Sequence, residues 1–321
     1  MNLKKVAIGI LGIVITIIAF YFIFKNINLK SALNHISNIS YSSSIILILL
    51  YLSTFFIRAF RWKLMLSDNK DITYNNCLKC ILIGFAGNNF LPARGGELLR
   101  MEFFSRETKT NRITALSSVF VEKILDGLIL VIFLFIILII NSKLILDSNI
   151  KNLAYFSTIL FSVFLFLIII FRVYGQKLIT KINSSNKLIL KLINVLSSVY
   201  ESVLFLRWNF STLLILISTI IIWLVEGSVF VITLYIFDCN DIAIVAGFLT
   251  LVIVNFGILI PSSPGYLGVF QAMTIFSLLL FNVNKELAFS ISIIIHMCQY
   301  IPTTLWGGYY LLKTSLLKIK F

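Results

Sequence analysis

Long apolar runs alternate with short polar joints along this chain, and most of the runs have the length of a membrane crossing. A hydrocarbon core about 30 Å thick asks for about 20 apolar residues per helix. Residues 6–24, 43–60, 113–140, 154–171, 209–236, 241–260, 265–283 and 286–312 supply such runs. The segment 77–91 is too short, and too polar at its end, to cross alone. With residues 93–105 it predicts a re-entrant hairpin that comes and goes by one face. The pair 241–260 and 265–283 reads either as two spans or as a second hairpin, because both readings start and finish on the same side. Residues 174–208 keep apolar positions at helical spacing among lysines, the pattern of one or two interfacial amphipathic helices. Residues 27–40 show a weaker form of it on the opposite face. The expected fold is all-α: a polytopic integral membrane protein, one domain over 1–321, with about seven or eight membrane helices and one or two re-entrant broken-helix elements.

Two proline-glycine breaks interrupt the apolar pattern, at NNFLPARGGELLR (88–100) and GILIPSSPGYLG (257–268). In hydrocarbon every backbone N–H and C=O must be satisfied internally, so non-helical backbone at membrane depth persists only where protein or a water-filled cavity covers it. Broken helices therefore mark candidate transport sites. The breaks share a local order: Asn88, Asn89, Pro92, Gly95 and Gly96 in the first, and Pro261, Pro264, Gly265, Gly268 and Gln271 in the second. If each glycine precedes the N-terminus of a half-helix, the free N–H groups and the positive dipole end there make an anion site suited to phosphate. Their opposite sidedness suggests an inverted-topology repeat.

Composition agrees with a membrane protein. The 321 residues are 59% hydrophobic and 12% charged, against about 25% charged in soluble domains. The net charge of +14 does not point to nucleic acid, because the basic residues flank apolar runs, where they report orientation. Lys4 and Lys5 set the N-terminus inside. Arg58, Arg61, Lys63 and Lys70, then Arg106, Lys109 and Arg112, then Arg172 to Arg207, and finally Lys313, Lys318 and Lys320 fall on the same side when the first break is a hairpin. That parity predicts a multi-pass protein of the cell membrane with both termini cytoplasmic. The N-terminal segment resembles a signal peptide but IIAFYFIF lacks a small-residue cleavage site, so it reads as an uncleaved first span. Cys77 and Cys80 form a CxxC without a second ligand pair nearby, which favours helix packing; no metal or cofactor is expected.

The polar constellation lies in VEKILDGL. The apolar run that follows it rises about 20 Å, which leaves Glu122, Lys123 and Asp126 within the inner half of the hydrocarbon. Three such charges facing lipid would cost about 8 to 10 kcal/mol on the insertion scale, so they must pair or face water. Glu122 and Asp126 stand at i and i+4, and Lys123 at i+3 from Asp126, a partial internal solution. One negative charge remains, and Arg94 or Arg100 of the re-entrant element, near Glu97, is expected to complete a buried network. Glu226 and His296 lie near mid-span. A hydrogen-bonded packing role and a cavity-lining role suit each of them equally.

With NNFLPARGGELLR, VEKILDGL and IPSSPGYLGVFQ in this order, the chain resembles the membrane region of lysylphosphatidylglycerol synthases, the flippase-like family of uncharacterised UPF0104 membrane proteins. The resemblance implies a lipid-handling fold whose P, G, E and R pattern falls on Pro92, Gly95, Gly96, Glu97 and Arg100, and whose acid-base pair and aspartate fall on Glu122, Lys123 and Asp126. Gln271 departs from the acidic residue expected there. The family's synthases carry a soluble aminoacyltransferase domain that does not appear in this sequence, so lysine transfer is expected to be absent.

The resulting expectation is a lipid translocase that takes a phospholipid or glycolipid headgroup, anionic, aminoacylated or glycosylated, through a polar intramembrane cavity. Arg94 and Arg100 would hold the phosphate, with no catalytic residue and no nucleotide-binding loop. The alternatives are a membrane-embedded transferase using a lipid-linked donor and an accessory subunit of a lipid-synthesising enzyme. The first needs a poised carboxylate or histidine, yet the outer segment from Lys25 to Ser42 has no Asp or Glu and only His35.

Overall fold

A computed structural model describes residues 14, 17, 21, 25, 27–37, 39–66, 71–92, 94–141, 148–181, 187–204, 209–259 and 263–313. The described residues are helical, with turns and short 3-10 segments between: α1 (Leu29–Ser37), α2 (Tyr41–Met65), α3 (Tyr74–Phe90), α4 (Gly95–Thr108), α5 (Arg112–Ile140), α6 (Ser148–Lys181), α7 (Lys187–Val203), α8 (Phe210–Ile236), α9 (Ala243–Gly257), α10 (Val269–Leu279) and α11 (Lys285–Lys313). Helix is the solution that satisfies each segment's backbone within itself, which an apolar solvent demands. The joints supply the caps. Ser40, Asn111 and Asn209 accept a backbone N–H at the starts of α2, α5 and α8, and Thr73 with Asn76 forms a capping box on α3.

Six stretches among the described residues are long and apolar enough to cross a membrane, including 41–65, 112–140, 150–180, 210–236 and 285–313. The sixth, 240–257, begins the second broken element. The helical part of that stretch, α9, has 15 residues, and α10, which returns, has 11; at 1.5 Å per residue they rise about 22 and 16 Å, short of the roughly 30 Å core. The two pack against each other as a helical hairpin, and 240–257 keeps the length and composition of a span. α3 and α4 form the other, as the pattern predicts. The expected first span, 6–24, lies outside the described residues apart from Val14, Ile17 and Tyr21. The amphipathic segment 174–208 divides: α6 runs on to Lys181, and α7 is a separate helix packed on α5 and α6.

The two hairpins come from opposite ends of the bundle. One buried cluster joins α2, α3 and the first half of α5, with Trp62, Phe104 and Leu82 fully enclosed. The other joins the second half of α5 to α8, α9, α10 and the start of α11. α3 and α4 approach closely because a Cβ on Gly96 would lie 1.9 Å from the Gly84 carbonyl oxygen and 2.4 Å from the Asn88 nitrogen. The tips of the hairpins meet. Arg94, in the left-handed region at φ 55°, donates from Nη2 to the Ile258 carbonyl at 3.0 Å and lies over the Tyr266 ring.

Candidate functional site

Three arginines and three carboxylates interlock inside the bundle. Arg58 and Arg61 share the buried face of α2, Glu122 and Asp126 stand one turn apart on α5, and Glu226 follows Thr219 and Trp223 along one face of α8. Arg100 projects from α4. Its Nη1 and Nη2 reach both oxygens of Glu122 at 3.2 and 2.8 Å, a bidentate pair. Arg61 sits 3.3 Å from Glu122 and grips Asp126 at 2.6 Å. Arg58 stands 3.8 Å from Asp126 and donates to Glu226 at 2.5 Å. Charges alternate along the chain of contacts and sum to zero, and all six residues are buried. The arrangement answers the large cost of an unpaired buried ion.

Neutral donors and rings finish the shell. Trp223 Nε1 donates to Asp126 at 3.0 Å, and Arg61 also donates to Thr219 at 3.1 Å. The Arg100 guanidinium lies 3.8 Å from the centre of the Trp62 ring, and Trp62 Nε1 is held by Ser118 at 3.0 Å. Asp126 stands midway along α5.

Of the two arginines expected to complete the network, Arg100 joins Glu122, while Arg94 makes the tip contact with Ile258. Lys123 does not pair with Asp126. It meets Glu97 at 3.4 Å instead, while Asp126 is held by Arg61. Arg58 and Arg61 are the residues the reading by charge missed. It assigned them to the inner loop, yet α2 continues to Met65 and buries both. The signal was present in FFIRAFRWKLM, where the aromatic pattern continues past both arginines.

At both breaks, backbone and side-chain acceptors take N–H groups of the described residues, in place of the expected open anion site. At the start of α4 the N–H groups of Gly95, Gly96 and Glu97 go to the Pro92 carbonyl, Asn88 Oδ1 and the Arg94 carbonyl. At the second break Gln271 Oε1 accepts from Gly268 N at 2.8 Å. Its amide nitrogen must then donate to His296 Nδ1, also at 2.8 Å, which leaves Nε2–H to donate to the Gly265 carbonyl at 2.9 Å. Gly265 has φ 68°, and a Cβ there would meet the Tyr300 ring at 2.4 Å. Asn89 ties the first break to α11 through Thr304 at 2.7 Å. Pro264 opens the short turn before Gly268, and Pro261 lies outside the described residues. Cys77 and Cys80 are free thiols buried in α3.

Beside the network lies a cavity of about 390 Å³, in the range of small-molecule sites, about 300–1,000 Å³. Its charged lining is Arg58, Arg94 and Lys123 with Glu97, Asp126 and Glu226, and His296, Asn88 and Asn89 also face it. Arg100, Glu122 and Gln271 do not line it. Nor do Pro92 and the break glycines, which shape the backbone around it.

Comparison with known proteins adds the lineage. The profile of the lysylphosphatidylglycerol synthase TM region matches residues 9–307. A UPF0104 membrane protein of Methanocaldococcus jannaschii is 26% identical over 238 residues, which cover 72% of this chain and 96% of the relative. The chain belongs to the lysylphosphatidylglycerol synthase TM-region family, as the ordered motifs had indicated.

Proposed function

We propose that this member of the lysylphosphatidylglycerol synthase TM-region family is a lipid translocase that carries a phospholipid or glycolipid headgroup through its intramembrane cavity. The observation that carries this reading is the cavity of about 390 Å³ between the two broken elements, with three cations and three carboxylates in its wall. A lipid headgroup is charged or strongly polar, and its passage through hydrocarbon is opposed by the same desolvation that opposes a buried ion. A wall of paired charges lowers that barrier by replacing water.

The assignment of roles changes from that expected on sequence. Arg100 is committed to Glu122 behind the wall and supports the site from there. Lys123 and Arg94 are the cations placed to meet a phosphate, and Glu97, Asp126 and Glu226 balance charge while the site is empty. The protein acts in the cell membrane with both termini on the cytoplasmic side. An anionic, aminoacylated or glycosylated headgroup suits this lining.

The experiment is flipping of a fluorescent phosphatidylglycerol in proteoliposomes, read by quenching of the outer leaflet. Flipping well above that of protein-free vesicles is expected. Rates equal to protein-free vesicles, with folded protein inserted, would overturn the reading.

A further inference from the structure

A second cavity, of about 670 Å³, lies against a neighbouring face of α5, between the start of α4 and helices α5, α6 and α7. Its walls are apolar side chains such as Leu116, Phe120, Leu167, Phe171 and Val203. Charge enters only at one end, where Arg94, Glu97 and Lys123 line this cavity and the headgroup cavity alike; Phe120 and Phe164 are also shared. The two spaces are therefore neighbours across one short charged partition. Phe120 and Leu167 are also exposed on the outside of the bundle, at 53% each, so the apolar cavity borders the hydrocarbon.

The partition itself is an ion pair. Lys123 meets Glu97 at 3.4 Å, with 35% and 19% of their side chains exposed, in contrast to the wholly buried pairs of the network. A pair that is partly exposed and long is the one whose partner can be exchanged. A phosphate brings more acceptor oxygens to an ammonium than the carboxylate does.

We propose that the apolar cavity holds an acyl chain of a phosphate-bearing lipid, whose phosphate takes the place of Glu97 on Lys123 while the headgroup reaches into the cavity beyond. The proposal rests on the reading of that neighbouring cavity as a headgroup site. Continuity of the two spaces through Lys123 and Arg94, and the match of their charge to a phosphate, select this occupant. A lipid is the molecule that joins an apolar chain to an anion at a fixed short distance. The charge exchange is balanced: Lys123 loses one anion and gains another, and Glu97 is released to the polar side.

The test is photocrosslinking in phosphatidylcholine vesicles doped with either phosphatidic acid or diacylglycerol of the same chains. A photoreactive p-benzoylphenylalanine replaces Leu167 in the cavity wall or, as a control for bulk lipid, Ile139, which is 80% exposed. The expected result is capture of phosphatidic acid about tenfold above diacylglycerol at position 167, the size of one charge-assisted hydrogen bond. The ratio should approach one at position 139 and fall several-fold at 167 when Lys123→Met is added. Equal capture of the two lipids, or adducts at 167 with protein alone, would overturn the proposal. Flipping measured in the same vesicles separates the two readings. Selective adducts without flipping would retain the acyl site and remove the translocase, whereas flipping without selective adducts would remove the acyl site alone.

Discussion

Arg58 on α2 donates to Glu226 on α8 at 2.5 Å, joining residues 168 positions apart at one end of a six-membered charge chain. Among the described residues neither has another ionic partner within 3.5 Å, since Arg58 stands 3.8 Å from Asp126. The pair is a point where the two helices are held in register by electrostatics as well as by packing.

Glu226→Ala should therefore leave a buried guanidinium without its main counter-charge and destabilise the protein by about 3–5 kcal/mol. Replacing both residues by methionine should recover most of that loss. Thermal unfolding of the four proteins in one detergent completes the double-mutant cycle, and additive effects would show that the pair is not coupled.

Cavity and framework roles separate at Lys123 and Arg100. Lys123→Met removes a partly exposed charge and should change the melting temperature little while slowing lipid flipping about tenfold, the cost of one charge-assisted contact. Arg100→Met strands Glu122 in the core and should lower stability first. Measuring melting and flipping on both variants distinguishes the roles.

The second break depends on one amide. Gln271→Leu leaves the Gly268 N–H and His296 Nδ1 without their partner and should cost about 1–3 kcal/mol per unsatisfied buried group. Nitrogen NMR of labelled histidine should report the Nε2–H tautomer of His296 in the native protein, as the hydrogen bond to Gly265 requires. Observation of the Nδ1–H form would contradict the geometry.

Gly96→Ala tests the first hairpin. Its new Cβ would collide with backbone atoms of Gly84 and Asn88, which cannot rotate away, so a loss at or above the usual overpacking cost of about 1–3 kcal/mol is expected. Folded yield by size-exclusion chromatography reads the effect.

The arrangement of the hairpins predicts sidedness. In intact cells and a cysteine-free background, an impermeant thiol reagent should label Lys285→Cys and spare Lys109→Cys. The reverse pattern, with Lys109→Cys labelled and Lys285→Cys spared, would mean that the first break passes through to the far face and inverts everything after it.

Much of this protein is written in its apolar periodicity. The spans, the re-entrant shape of α3 and α4, and the need of Glu122 for a cation such as Arg100 follow from the high cost of bare backbone and bare charge in hydrocarbon, a cost that each segment carries locally. Arg58 and Arg61 were legible only as basic residues near a helix end, because their partners Asp126 and Glu226 lie on α5 and α8, far along the chain. Likewise, nothing local to Lys123 reveals that it pairs with Glu97, or that Asn88 and Gln271 fill the N–H groups the breaks would otherwise leave open.

The sequence by itself determined that the chain lives in a membrane, where it crosses, and that its charges must be neutralised, since transfer from water to hydrocarbon depends on side-chain type and local spacing. Which charge neutralises which, and where an enclosed polar space remains, was decided only when α2, α5 and α8 came together. Ion pairing acts over a few ångströms in space and is indifferent to separation along the chain.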